Sequence, residues 1–112
     1  MPEPRQKEVP PGAGVLPLIP VELNIQPLLL AVLHATVFLS ATDEVLLDRL
    51  AADECFDYLA GYMRRLKGSD LQRVRDDLAV LADFGRREKW SLSAVEFLQT
   101  FLESCGRVDG ET

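Results

Sequence analysis

Six carboxylates crowd into fifteen positions of this chain: Asp43, Glu44, Asp48, Asp53, Glu54 and Asp57. Carboxylates at that density suit magnesium, a hard cation that takes oxygen ligands and keeps several waters. A bound magnesium would polarise a phosphoryl oxygen and help a water attack it. Glu54 and Asp57 have the spacing to share one helical face, and only Asp76 and Asp77 are placed to complete such a site. The competing reading is a solvated acidic face with Arg49 as its local partner, which is the ordinary fate of a charge run; it is preferred, and no metal ligand is expected. His34 is the single histidine. A lone histidine within an apolar helix is ordinarily a hydrogen-bonded core residue, and a nucleophilic device would need a serine and a carboxylate brought to it by the fold. Cys55 and Cys105 lie fifty residues apart, too far for a zinc knuckle or a Cys-x-x-Cys pair. They are read as small buried hydrophobes of a reducing compartment, so a cytoplasmic location is expected. No catalytic residue and no cofactor is expected.

Glu54-x-x-Asp57 resembles half of the acidic helix motif of all-α nucleotide pyrophosphatases, which would imply magnesium-dependent hydrolysis of a nucleotide or phosphate ester. The other half of such a site is commonly Glu-x-x-Glu, and that spacing occurs nowhere in the chain. Leu66-Lys67-Gly68-Ser69 is similar to the end of the His-x-Leu-Lys-Gly-Ser run of histidine phosphotransfer bundles. Arg64 stands where the phospho-accepting histidine would be, and a guanidinium cannot pass on a phosphoryl group. Position 31, which a di-iron Glu-x-x-His motif ending at His34 would require to be glutamate, is Ala31.

Eighteen acidic against twelve basic residues give a net charge of −6. That balance argues against a general nucleic-acid binder, which needs a basic surface to neutralise phosphates, and disfavours docking on anionic membranes. The basic residues gather at 64–75 and 86–89 without interleaved aromatics to stack bases. Helix-end electrostatics explains most of them.

Residues 23–42 contain no charged side chain, and their large apolar residues project in every direction around a helix. Such a helix must be surrounded by protein or lipid. Its dense apolar part runs about a dozen residues, short of the roughly 20 a bilayer span needs, so it is expected at the centre of a soluble fold, with no membrane partner. Glu3, Glu8, Glu22 and the intervening prolines spoil any signal-peptide pattern.

All seven prolines fall within residues 1–27. Proline lacks the amide hydrogen and clashes with the preceding helical turn, so an extended or partly disordered arm over 1–22 precedes a helical domain over 23–106, with a disordered tail at 107–112. The fold class is all-α, a four-helix bundle-like domain. Helix 1 is expected at about 25–40, capped by Asn24. Helix 2 should run from Thr42 or Asp43 to Lys67, ending at Gly68. Helix 3 should begin with a Ser69–Gln72 capping box and end near Glu88. Helix 4 should be capped by Ser91 or by a Ser93–Glu96 box and close at Gly106. In helix 3, Leu71, Val74, Leu78, Leu81, Ala82 and Gly85 share one face; in helix 4, Val95, Leu98, Phe101, Leu102 and Cys105 do. Helix 2 is inconsistent: Leu46, Leu47 and Leu50 face away from Ala52, Cys55, Leu59 and Met63, so it either breaks near Ala51–Asp53 or packs on two surfaces.

Apolar residues are therefore left over. Leu18 and Ile19 in the arm, Leu46, Leu47 and Leu50, and the Val80–Phe84 pair on the charged back of helix 3 form the candidate partner-binding surface. The expected function is a protein–protein interaction or regulatory module whose partner is a protein, most simply a second copy of itself. The alternatives are the magnesium-dependent hydrolase and a bundle holding a small apolar ligand beside His34.

Overall fold

Pro27 sits in the first turn of the first helix, where its missing N–H leaves no bond unmade. The computed structural model describes residues 11–107 and folds them into four α-helices: α1 over Pro27–Ala41, α2 over Arg49–Met63, α3 over Gly68–Arg87 and α4 over Leu92–Ser104. A 3-10 turn over Val21–Leu23 precedes them. The architecture is the expected all-α bundle, built as two helix pairs, α1 with α2 and α3 with α4. No described helix is long and apolar enough to cross a membrane.

The helix starts were only partly legible. Gln26, not Asn24, caps α1, its Oε1 accepting the Leu28 N–H at 2.6 Å. Asn24 instead takes the left-handed conformation with φ 56° and ends the 3-10 turn. Helix 2 was expected to start at Thr42 or Asp43; α2 starts six or more residues later, with the Asp48 carboxylate accepting the Ala51 N–H at 2.9 Å. Asp43 caps a separate turn, its carboxylate accepting the Val45 N–H and its carbonyl the Leu46 and Leu47 N–H groups. The interruption therefore lies at residues 42–48 rather than at Ala51–Asp53, and Leu46 and Leu47 are not helical at all. That resolves their conflict with the Ala52–Met63 face. The Ser69–Gln72 box does not form: the start of α3 has no side-chain cap, and Gln72 donates to Asp76 instead. Gly68 makes the corner with φ +61°. Ser91 caps α4 through the Ala94 N–H, and Gly106, at φ +102°, closes it.

The core is contributed by every helix. Leu33, Leu71, Leu81, Leu98 and Phe101 are almost completely enclosed. Two arm residues join them, Leu16 and Ile19, so the apolar part of the arm packs on the chain's own body. The arm is pinned by Gly14 N–H to Thr42 Oγ1 and Asp43 N–H to the Gly12 carbonyl. Only glycine fits at 14, because a Cβ there would lie 2.5 Å from the Val37 carbonyl oxygen. At the other end Arg107 is also buried, its Nη1 donating to the Met63 carbonyl. The helical unit thus draws residues 16, 19 and 107 from the segments assigned to arm and tail. Residues 1–10 and 108–112 of those segments lie outside the described residues.

Two burial expectations fail. α1 was expected to be enclosed on all sides; it buries Leu29, Leu33, Thr36 and Leu39 but leaves Leu28 and Phe38 exposed. Helices arranged as two pairs cover one side of α1 and one flank, and the remaining side faces water. Cys55 was expected to be buried; it is exposed, whereas Cys105 is buried, its thiol pushed up to about 11 by desolvation. Both are free thiols. Alkylation at neutral pH is expected to modify Cys55 well before Cys105, with Cys105 reacting only after denaturant is added. Mass spectrometry of the digested product checks this; rapid double labelling of folded protein would contradict the burial of Cys105.

Candidate interaction surface

α1 and α2 run antiparallel. Leu28, Leu29 and Val32, early in α1, line a groove with Met63 at the end of α2 and Leu66 just beyond it, whereas Thr36 and Leu39 share one with Ala52 and Phe56. At about 100° per residue, Leu28, Ala31, Ala35 and Phe38 form one stripe of α1, on the flank away from the enclosed Leu33. On α2, Ala51, Cys55, Tyr58 and Tyr62 form one stripe, on the flank opposite the buried Ala60. Because the helices are antiparallel and both bury their other flank in the shared core, the two stripes fall on the same outer side of the hairpin. Leu28 is 73% exposed, Phe38 44%, Tyr58 63% and Tyr62 59%. α1 contributes no charge to this side. Arg65 stacks its guanidinium over the Tyr62 ring at 4.9 Å, and the exposed Glu54 lies on the same border of α2. The result is an apolar and aromatic face with charges confined to its rim.

The residues singled out by sequence lie off this face, on the arm, in the turn that leads into α2 with the first residues of α2, and on α3. Leu18 on the arm is exposed, but Ile19 is spent in the core and drops out of any docking surface. Leu46 and Leu50 are exposed and Leu47 half-buried, in the 43–47 turn and at the start of α2. Val80 on α3 is exposed, while Phe84 is half-buried and meets Trp90 edge-on at 5.7 Å. Sequence reasoning missed Leu28, Phe38, Tyr58 and Tyr62. The available signal was the absence of polarity around helix 1, since two helix pairs cannot enclose one member completely.

The polar residues are engaged in holding the bundle together. Asp77 is buried, accepts the Gln26 N–H at 2.9 Å and pairs with Arg73 at 3.0 Å. Arg73 also donates to the Asn24 carbonyl, so this pair ties the entry of α1 to α3. Arg64, at the position of the phosphotransfer histidine, donates to the Cys105 carbonyl at 2.6 Å, while Arg107 serves the Met63 carbonyl. The C-terminal ends of α2 and α4 thus exchange arginines, each donating to a terminal carbonyl of the partner helix end; the Met63 carbonyl also accepts the Leu66 N–H. Arg49 does the same at the end of α1, donating to the Leu39 and Thr42 carbonyls.

Little of this arrangement suits catalysis. Glu54 and Asp57 are exposed on α2, Asp76 is bonded to Gln72, and Asp77 is committed to Arg73. Among the described residues no group of three or more histidine, cysteine or carboxylate side chains is placed to hold a metal ion. His34 is half-buried, and desolvation lowers its pKa. Contrary to expectation its imidazole has no hydrogen-bond partner among the described residues.

The chain matches no protein-family model, and comparison with curated proteins and with solved structures returns no match.

Proposed function

We propose that this protein is a small interaction module that works by self-association, a homodimer in its simplest form. The observation that carries the reading is the solvent exposure of α1, a helix of fifteen residues without one charged side chain. Scattered surface leucines are normal, but a contiguous apolar face bordered by polar residues marks an association site. A closed two-fold contact covers such a face with a copy of itself and leaves nothing further exposed. The acidic chain gains particularly from this site, because a second copy also carries a net charge of −6 and can approach closely only where charge is absent.

The test is the molar mass in solution by light scattering across micromolar concentrations. Twice the 12.5 kDa of one chain is expected. A strictly single-chain mass throughout would refute self-association. Leu46→Asp is expected to leave both the fold and this mass unchanged, because Leu46 is 57% exposed in the turn before α2. The hydrolase and ligand-binding alternatives draw no support from the dispersed carboxylates or from the surroundings of His34. Stabilisation of the protein by millimolar magnesium in a thermal melt would reopen the first of them.

A further inference from the structure

We infer that the second copy seats on the outer face of the α1–α2 hairpin through a two-fold axis that crosses α1 near residue 33 and α2 near residue 59, laying each helix antiparallel on its own counterpart. This rests on the self-association reading and adds which surface is used and how it is matched.

The argument is the symmetry of the residue pattern. An isologous contact requires that the residues on either side of the axis be complementary to each other. On α1, Leu28 and Phe38 lie five positions either side of residue 33, and Ala31 and Ala35 two positions either side. An antiparallel copy therefore brings each Leu28 against Phe38 of the second copy, while the alanines meet at the centre and let the helix axes approach closely. Large side chains at both ends and small ones in the middle pack without collision. On α2, Cys55 and Tyr62 lie three and four positions either side of Tyr58, a centre between residues 58 and 59, so Cys55 faces Tyr62 of the second copy and the two Tyr58 rings meet near the axis.

The two centres coincide in space. One groove between α1 and α2 is lined by Leu29 and Met63 and another by Thr36 and Phe56, which sets residue 33 of α1 level with about residue 59 of α2. One axis thus serves both helices to within about two residues, or about 3 Å along the helix at 1.5 Å per residue. The same operation brings Arg65 on the rim to the level of Glu54 of the second copy, twice over, so the border charges meet with opposite sign.

The face approaches the size of a small specific contact. Two helices of fifteen residues are about 22 Å long, and side by side span about 20 Å, or about 450 Å² in projection. Accessible area on a corrugated helical surface exceeds its projection, which brings the face toward the low end of the roughly 600–1,000 Å² per partner of specific interfaces.

The test uses the full chain, light scattering for mass and circular dichroism for helix content. Leu28→Glu and Phe38→Lys are each expected to weaken association by about a hundredfold or more and give single-chain mass at micromolar concentration, with helix content unchanged. Mixing the two variants in equal amounts should restore the dimer, because the new carboxylate at 28 meets the new ammonium at 38 on the other chain. Tyr58→Arg provides a separate check should either variant lose helix content, since two guanidinium groups would then face each other at the axis. If the wild type is dimeric and stays so in these variants, or if the mixture stays monomeric, this seating is wrong while self-association stands. A monomeric wild type overturns both.

Discussion

Leu33→Asp is expected to abolish folding. Leu33 is 0% exposed, in the middle of α1, and belongs to the core shared by all four helices and the arm. A carboxylate there would sit in a cluster of apolar side chains, and burying an ionised carboxylate unpaired costs more than the roughly 5–15 kcal/mol that holds a domain together. Its alternatives are protonation, which still leaves a polar group without a partner, or withdrawal of α1 from the bundle. Withdrawal would take Leu29 and Leu33 out of the core cluster they share with Leu16, Leu71 and Phe101. Leu33→Ala, which only leaves a void, should fold but lose about 2–5 kcal/mol. Circular dichroism with urea titration distinguishes the two. A Leu33→Asp protein with a wild-type unfolding midpoint would mean that α1 is not seated as described.

Asp77→Ala is expected to cost about 2–3 kcal/mol. Removing one partner of a buried pair ordinarily costs about 3–5 kcal/mol, because the other group is left desolvated and unbonded. Here the loss is smaller, because the Arg73 side chain is 47% exposed and recovers water. What it does not recover is the Gln26 N–H, which Asp77 accepts from a position immediately before α1 and which the backbone offers no substitute for. Asp77→Asn retains an acceptor for that N–H and should lose less. At the urea sensitivity usual for small domains these losses shift the midpoint by about 1–2 M. Indistinguishable midpoints for wild type and Asp77→Ala would show that the link between α1 and α3 contributes nothing.

The exposed face on α1 also explains why sequence pattern misjudged that helix. Periodicity points a helix only when one side is polar. In α3, charges alternate with Leu71, Val74, Leu78 and Leu81, and that side is the buried one; in α4, Val95, Leu98 and Phe101 likewise point inward as their spacing requires. α1 has no polar side, so its sequence carries no direction, and its neighbours alone select which leucines are covered.

Caps show the same division. Ser91 and Gly106 were legible because each has one local role. Thr42, Asp43 and Asp48 are three competent caps within seven positions, and the choice among them fell to tertiary contacts: Thr42 is held by Gly14, and Arg49 is drawn to the end of α1. The partner of Asp77 on its own helix, Arg73, follows from helical spacing, but the Gln26 N–H lies 51 residues away.

From composition and spacing alone came the all-helical class, the confinement of proline to the arm and the first turn of α1, and the inward faces of the last two helices, because these depend on interactions within a few residues. Which side of α1 meets water, where α2 begins, the insertion of Leu16 and Ile19, and the exchange of Arg64 and Arg107 between helix ends were decided only by the tertiary structure. Each depends on groups brought together from distant parts of the chain, and local sequence carries no record of that distance being closed.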